Sequence, residues 1–451
     1  VTGATVVTRP GVDLVLPDLS ITSGSMATDG ALTVGDLTLG NGTLGGTNLV
    51  SVSGVMEWTG GTMDGTGSTR IEAGGVLNAS GTSTRYLNNG RVLENYGTFN
   101  WSDTGRLYVN SGTGYFYNRV GGLVEMTGDG LLDAYYWSGL EVVNEGVWRK
   151  SGGVGVSTLG SNSGGPAKIF NNAGLLEVLS GMVRLNTYGT STHTGSFAVA
   201  AGATLDLNQG THVFDGLTSF TGLGSVRFGT PTTFNTDISV GELQVSMDTS
   251  SVFGGNGILS NSGAGKITVL RSTTLNGSLN IAGTLDIAAG VTLTVGGTLT
   301  LQVEGTINNP GVLRVGAFND LGGTVTGNLP VVVGIVTTGL SIEAIHFSDG
   351  GPALVRSDAL GRGLVLDSVV LRWRGRVGGN YVVETSEDMQ RWSEVSSEIR
   401  MDAPGSFTAT TEAGFQPHRF YRVREVVSAG EQSSPGDPRP VLPLGGDYQV
   451  P

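Results

Sequence analysis

The chain has 451 residues, of which 76 are glycine, 14% are charged and none is cysteine, and its formal net charge is −13. Glycine at this frequency disfavours long helices, and sparse, acidic charge disfavours nucleic-acid binding, which needs clustered Lys and Arg. Without cysteine there are neither disulfides nor thiolate metal sites. No apolar run of about 18 residues occurs, so no membrane-spanning helix is predicted.

The first segment, residues 1–20, is strand-like and interrupted by prolines. We expect it to cap the repeat region that follows or to pair with another chain. The chain begins at Val1 and not at Met. A secreted protein that has lost its signal peptide would begin in this way, and so would a cloned fragment.

Residues 21–345 repeat one pattern, in which short alternating strands are separated by Gly or Asn-Gly. Alternation of apolar with polar or small residues predicts strands with one buried face. The clearest stretch, residues 275–315, has corner glycines at Gly277, Gly283, Gly290, Gly297, Gly305 and Gly311. Such glycines are expected to supply the positive φ of a sharp bend. Three strands fill the 20 residues from Gly277 to Gly297. That length predicts an all-β fold, a parallel β-helix (β-solenoid) with right-handed coiling expected.

A longer repeat upstream places an asparagine before Gly in LENYGTFNW, YNRVGGLVEM, VNEGVWRK and FNNAGLLEV. The aligned residues are Asn95, Asn118, Asn144 and Asn172. Stacked at one corner of successive coils, their side chains would form an amide ladder along the solenoid axis. The alternative is that asparagine here only marks turns.

These repeats, together with GSFAVAAGATLDL at residues 195–207, resemble those of large secreted bacterial surface proteins, such as autotransporter passengers and adhesin-like parallel β-helices. The resemblance covers roughly residues 20–340 and implies an architecture. It implies no single function, because that group includes adhesins, fibre-forming proteins and carbohydrate-active enzymes.

Residues 346–426 read as strands of a small β-sandwich, since Arg, Glu and Trp become more frequent and runs such as VVLRWRG and RFYRVREV appear. The pattern resembles a fibronectin-like C-terminal module of secreted bacterial proteins. That resemblance makes Tyr381, Trp392 and Tyr421 sandwich-core residues. The tail, residues 427–451, is rich in Pro and Gly and is expected to be a connector between subunits. Its apolar residues are predicted to make that contact: Val441, Leu442, Leu444, Tyr448 and Val450.

No sequence motif for a cofactor, metal or catalytic triad stands out, so no cofactor and no catalytic residue are predicted. His193 and His212 are interpreted as wall or surface residues. If the chain were a polysaccharide lyase or hydrolase, the candidate carboxylates would be Asp129, Asp133 and Glu141. Nearby aromatic residues that could stack on sugars are Tyr135, Tyr136, Trp137 and Trp148.

The sequence therefore favours a non-enzymatic structural protein, secreted and displayed on a bacterial surface, that self-associates into filaments through its ends. A monomeric adhesin or glycan-binding protein is the alternative. A polysaccharide-degrading enzyme ranks third.

Overall fold

The computed structural model describes residues 1–332 except 9, 103, 162 and 163, and farther on residues 340–344, 355–356, 366–374, 380–386, 391, 393–394, 399–400, 406–411 and 420–426. Every regular element among these residues is a β-strand. The chain divides into two compact units, Val1–Val333 and Gly334–Pro451. Residues 1–20 contribute the first strands of the first unit.

The first unit contains one continuous sheet of 41 strands. In chain order these are β1 Thr5–Val7, β2 Leu14–Ile21, β3 Ser25–Thr28, β4 Leu32–Leu39, β5 Thr43–Gly46, β6 Leu49–Val52, β7 Val55–Trp58, β8 Gly61–Met63, β9 Ser68–Ile71, β10 Val76–Ala79, β11 Arg85–Leu87, β12 Val92–Asn95, β13 Thr98–Trp101, β14 Arg106–Val109, β15 Thr113–Asn118, β16 Leu123–Met126, β17 Leu131–Ala134, β18 Gly139–Asn144, β19 Val147–Lys150, β20 Val156–Leu159 and β21 Lys168–Asn172. The remainder are β22 Leu175–Val178, β23 Met182–His193, β24 Ser196–Val199, β25 Thr204–Phe214, β26 Ser219–Gly222, β27 Ser225–Phe228, β28 Thr232–Phe234, β29 Ile238–Ser239, β30 Gln244–Met247, β31 Phe253–Gly254, β32 Ile258–Asn261, β33 Lys266–Val269, β34 Thr273–Leu275, β35 Ser278–Ile281, β36 Thr284–Ile287, β37 Thr292–Leu301, β38 Thr306–Asn309, β39 Val312–Asp320, β40 Thr324–Gly327 and β41 Val331–Val332.

Each coil has three faces, which we call A, B and C after the strands β12, β13 and β14 of one coil. Strands pair in parallel with those one coil later, so that β12 pairs with β15, β13 with β16 and β14 with β17. The pattern continues for about 15 turns. The predicted parallel β-solenoid is confirmed.

The core lies inside the coils, because alternate residues of each short strand point inward and are buried. Inward residues pack against those of the next coil. The Phe116 ring centroid, for example, lies 5.1 Å from that of Trp148, which in turn lies 5.3 Å from that of Phe170. The period-2 pattern of the sequence thus sets which residues form the core.

The corner glycines of residues 275–315 are required mainly by close backbone approach. Only Gly290 of the six has a positive φ, +74°. A Cβ on Gly277 would lie 2.1 Å from the carbonyl oxygen of Gly257, and one on Gly283 would lie 2.2 Å from that of Gly265. Coils stacked about 4.8 Å apart leave no room for a side chain there. The expectation that each of these glycines supplies a positive φ is wrong for the other five.

The second unit contains eight described strands, β42 Leu340–Ala344, β43 Val355–Arg356, β44 Leu366–Arg374, β45 Asn380–Ser386, β46 Ser393–Glu394, β47 Ile399–Arg400, β48 Ser406–Thr411 and β49 Phe420–Val426. They form two sheets, β42-β44-β48 and β43-β49-β45-β46, with β47 paired to β45. Tyr381 and Tyr421 lie on the paired strands β45 and β49. Their side chains and all of Trp392 lie outside the described part, so their core role stays a prediction.

Candidate functional site

Asn95, Asn118, Asn144 and Asn172 occupy the same inward position at the end of face A in four successive coils. Their side chains are hydrogen-bonded in series. Asn118 Nδ2 donates to Asn144 Oδ1 at 2.7 Å, and Asn144 Nδ2 donates to Asn172 Oδ1 at 2.7 Å. Each Nδ2 also donates to a backbone carbonyl oxygen beyond the corner, such as that of Val147 at 3.0 Å. The amides therefore satisfy interior carbonyl groups, which is a structural role.

The ladder ends differently on its two sides. Before Asn95, the same position is held by Ile71, and Asn95 Oδ1 accepts no hydrogen bond. After Asn172, the next coil places His193 there. The amide series is therefore bounded by an apolar side chain on one side and an imidazole on the other.

His193 and His212 form a buried pair in the interior, with neither side chain exposed. His193 Nε2 lies 2.9 Å from His212 Nδ1, and His212 Nε2 lies 3.2 Å from the carbonyl oxygen of Gln209. A carbonyl only accepts, so His212 Nε2 donates to Gln209, and His193 Nε2 donates to the unprotonated Nδ1 of neutral His212. Burial lowers the pKa of His193 well below its usual range and that of His212 to about 4. The surface interpretation of these residues is wrong.

Within the described ranges, four cationic side chains are completely buried, which the sequence pattern did not reveal. They are Arg85, Arg91, Lys150 and Lys168. Lys168 Nζ donates to the carbonyl oxygens of Gly164 and Pro166 at 2.9 and 3.1 Å. Lys150 Nζ contacts Asp129 Oδ1 at 2.7 Å. Arg85, Lys150 and Lys168 fasten corner loops to the interior, because each donates to several carbonyl groups. Arg91 instead donates to the hydroxyl oxygen of Thr69 at 2.8 Å.

The three candidate carboxylates of a lyase or hydrolase do not converge. Asp129 precedes face C and binds buried Lys150, Asp133 lies on face C and binds Arg106, and Glu141 lies on face A. The hydroxyl of Tyr117 lies 3.4 Å from Glu141 Oε1. Each carboxylate thus has a separate partner on a separate part of the coil.

A shallow cavity of about 400 Å³ lies over face A and is lined by Glu94, Tyr117 and Arg119, among others. Arg70 Nη2 and Arg119 Nη2 donate to the two carboxylate oxygens of Glu94 at 2.9 and 2.8 Å. Burial alone would raise the pKa of Glu94, but the hydrogen bonds from Arg119 and Arg70 outweigh it, so the pKa is lowered. An ionised, doubly paired carboxylate is poorly suited to donate a proton in catalysis.

Of the four aromatic candidates, one lies in the interior of the solenoid and three are exposed. Trp148 is wholly buried in the core, whereas Trp137 is 70% exposed, and Tyr135 and Tyr136 are about half exposed. Trp148 is therefore excluded as a sugar-stacking residue, because its ring cannot be reached. The other three lie at the corner that follows β17.

The first coil has an open edge. Among the described residues, β1 pairs only with β3 and β2 only with β4. Thr8 N donates to the carbonyl oxygen of Ala27, and Leu14 N to that of Ala31. The N–H and C=O groups of alternate residues in a strand point to opposite edges. Those of Val7 and Val15 therefore point to the open edge of the first coil.

Comparisons with family models, with curated proteins and with solved structures find no match to this chain. Within the described part of the chain, no cluster of three or more acidic or histidine side chains is placed to hold a metal ion. Nor do the described residues include a helix of sufficient length and apolarity to cross a membrane. The five tail residues Val441, Leu442, Leu444, Tyr448 and Val450 lie outside the described residues.

Proposed function

We propose that this protein is a structural subunit that assembles with copies of itself, the open first coil of one copy receiving the C-terminal tail of another. The observation that carries the proposal is the exposed apolar end of the solenoid. Val6 is 41% exposed although it points inward, whereas Met26, its partner one coil later, is 2% exposed.

Leucine side chains of β2 extend this surface. Leu14, Leu16 and Leu19 are only partly buried, since they pack against the core on one side alone. Unpaired strand edges next to apolar side chains are a template for added strands. Strand addition supplies main-chain hydrogen bonds, and pockets for alternate side chains provide the specificity.

The proposed occupant of the open edge is the C-terminal tail of another copy. Its residues 441–450 carry apolar side chains between prolines and glycines, a composition that forms no core by itself. As the repeat resemblance implies, the proposed setting is the bacterial cell surface, where repeated head-to-tail contacts build a filament.

Electron microscopy and sedimentation of the full chain test this proposal. We expect concentration-dependent linear assemblies, and we expect both Val6→Lys and deletion of residues 427–451 to yield single particles. Leu217→Lys is the matched control, because Leu217 is 91% exposed on the wall of the solenoid. Single particles from the unaltered chain at every concentration, or assemblies that survive both changes, would contradict the proposal.

A further inference from the structure

Four asparagines are each followed directly by glycine, and all four asparagines are exposed. They are Asn41, Asn89, Asn256 and Asn276. In such a pair the backbone nitrogen of the glycine can attack the side-chain amide carbon of the asparagine, because the two groups are held close together and glycine has no Cβ to hinder the approach. The sequence makes the four pairs alike, so a difference in their reactivity has to come from the structure.

In two of the pairs, a hydrogen bond holds the attacking nitrogen. Gly90 N and Gly257 N each donate to a backbone carbonyl oxygen of an adjacent coil, at 2.7 and 2.9 Å. The Asn89 side chain is fixed as well, since its Nδ2 donates to Asp64 Oδ1 at 2.7 Å. Before it can react, either glycine must break its bond to the adjacent coil and turn its nitrogen towards the asparagine.

In the other two pairs, the glycine nitrogen has no acceptor among the described residues. Asn276 N and Ser278 N donate to carbonyl oxygens of the preceding coil at 2.9 and 3.2 Å, so Gly277 N, which lies between them, points away from that coil. Gly42 N lies in the same way between the hydrogen-bonded nitrogens of its two neighbours. The side-chain amides of both asparagines likewise form no hydrogen bond in the part of the chain that the structure describes.

From this difference we infer that Asn41 and Asn276 are sites of spontaneous modification, whereas Asn89 and Asn256 are protected. The glycine nitrogen loses its proton to solvent and bonds to the asparagine Cγ. The bond between Cγ and Nδ2 breaks, and Nδ2 takes a proton from water and leaves as ammonia. Water then opens the resulting succinimide at either of its carbonyl groups, which leaves aspartate or isoaspartate. Water is the only co-reactant.

The modification changes the corner in two ways. Either product replaces a neutral amide by a carboxylate, and isoaspartate also adds a methylene carbon to the main chain. The corner at Gly277 has no room for that carbon, because a Cβ there would already lie 2.1 Å from the carbonyl oxygen of Gly257. We therefore expect modification at Asn276 to loosen the contact between these two coils. The reaction takes place within one chain, so it does not depend on the proposed assembly.

Peptide mapping by mass spectrometry of the full chain, aged at pH 8, is the test. It detects at each asparagine the mass gained when an amide becomes an acid. We expect Asn41 and Asn276 to react at least about fivefold faster than Asn89 and Asn256, which corresponds to about 1 kcal/mol, the net contribution of one hydrogen bond. In guanidinium chloride the four rates should converge, because the unfolded chain holds no glycine nitrogen in place.

The double variant Asn41→Gln with Asn276→Gln links the modification to stability. Glutamine would have to form a larger ring and reacts much more slowly, so this variant keeps both amides as the chain ages. We expect the urea midpoint of the unaltered chain to fall on ageing and that of the double variant to hold. Asn256→Gln is the matched control, and its midpoint should fall as that of the unaltered chain does.

Two results would overturn the inference. One is equal rates at the four asparagines in the folded chain. The other is that none of them reacts in the folded chain over a period in which the unfolded chain does. A urea midpoint that falls as far in the double variant as in the unaltered chain would contradict the expected loosening of the coils.

Discussion

Two stretches of the same solenoid close their coils in different ways. In the asparagine coils, successive ladder residues are 23, 26 and 28 residues apart, and the last inward position of face A is an amide. In residues 275–315, the coil Ser278–Thr298 spans 20 residues, and the corresponding positions hold Leu275, Val295 and Val315. The longer coils are therefore polar where the shorter coils are aliphatic.

The difference lies in the side chain at this corner and not in the backbone. Gly297 N donates to the carbonyl oxygen of Gly277 at 2.9 Å in the short coils, and Leu175 N donates to that of Gly146 at 2.9 Å in the asparagine coils. The Asn118 amide in addition binds the carbonyl oxygens of Gly122 and Val147. Asparagine thus supplies two further donors at a corner where the short coils have an aliphatic side chain.

The largest effect should come from filling a corner glycine, because both stretches depend on it. A Cβ on Gly146 would lie 2.2 Å from the carbonyl oxygen of Gly122. We expect Gly146→Ala and Gly277→Ala each to lower the free energy of unfolding by about 4 kcal/mol, measured by urea denaturation.

Gly121→Ala is the control for this prediction. Gly121 has φ +86° but no atom within 4 Å of an added Cβ, so only backbone strain applies, about 1 kcal/mol. Equal losses in all three variants would show that conformation, not space, makes corner glycine necessary.

Placing an aliphatic residue in the asparagine stretch, and an asparagine in the aliphatic stretch, tests whether each stretch needs its own side chain. Asn144→Leu removes the partner of both Asn118 and Asn172, and we expect it to destabilise by about 3 kcal/mol. Val295→Asn buries an amide between Leu275 and Val315, with a similar expected loss. Urea denaturation of both variants measures this. A neutral result for Asn144→Leu would mean that the ladder is not needed for stability.

Acid should weaken the coils that follow the ladder. Burial favours neutral His212 in the folded state and lowers its pKa from 6.5 to about 4. As the pH falls, the unfolded chain therefore protonates this histidine at a higher pH than the folded chain does. Stability is therefore full above pH 6.5 and falls as pH drops toward 4. Between pH 7 and pH 5 we expect a loss of about 2 kcal/mol from this group alone.

The measurement is the urea midpoint at pH 7, 6 and 5. His193 adds to the loss in the same direction, since burial first and the neighbouring His212 second lower its pKa. The double variant His193→Asn with His212→Gln serves as control and should lose most of the dependence in this window. An unchanged pH slope in that variant would assign the effect to other groups.

Much of the fold could be read from local patterns. The run RFYRVREV, residues 419–426, is predicted to be a strand, and the strand occurs at Phe420–Val426. The aligned asparagines were identifiable because each is followed by Gly and a new strand.

The sequence by itself determined the strand period, the coil length and the positions at which glycine and asparagine recur, because these depend on alternation and turn preference along the chain. Tertiary structure decided why those residues are needed. Stacking of one coil on the next removes the space for a Cβ at Gly277 and aligns the Asn144 amide with its neighbours. It also placed Trp148 and His193 inside while leaving Trp137 outside, since the direction of a side chain is set by the register of its coil.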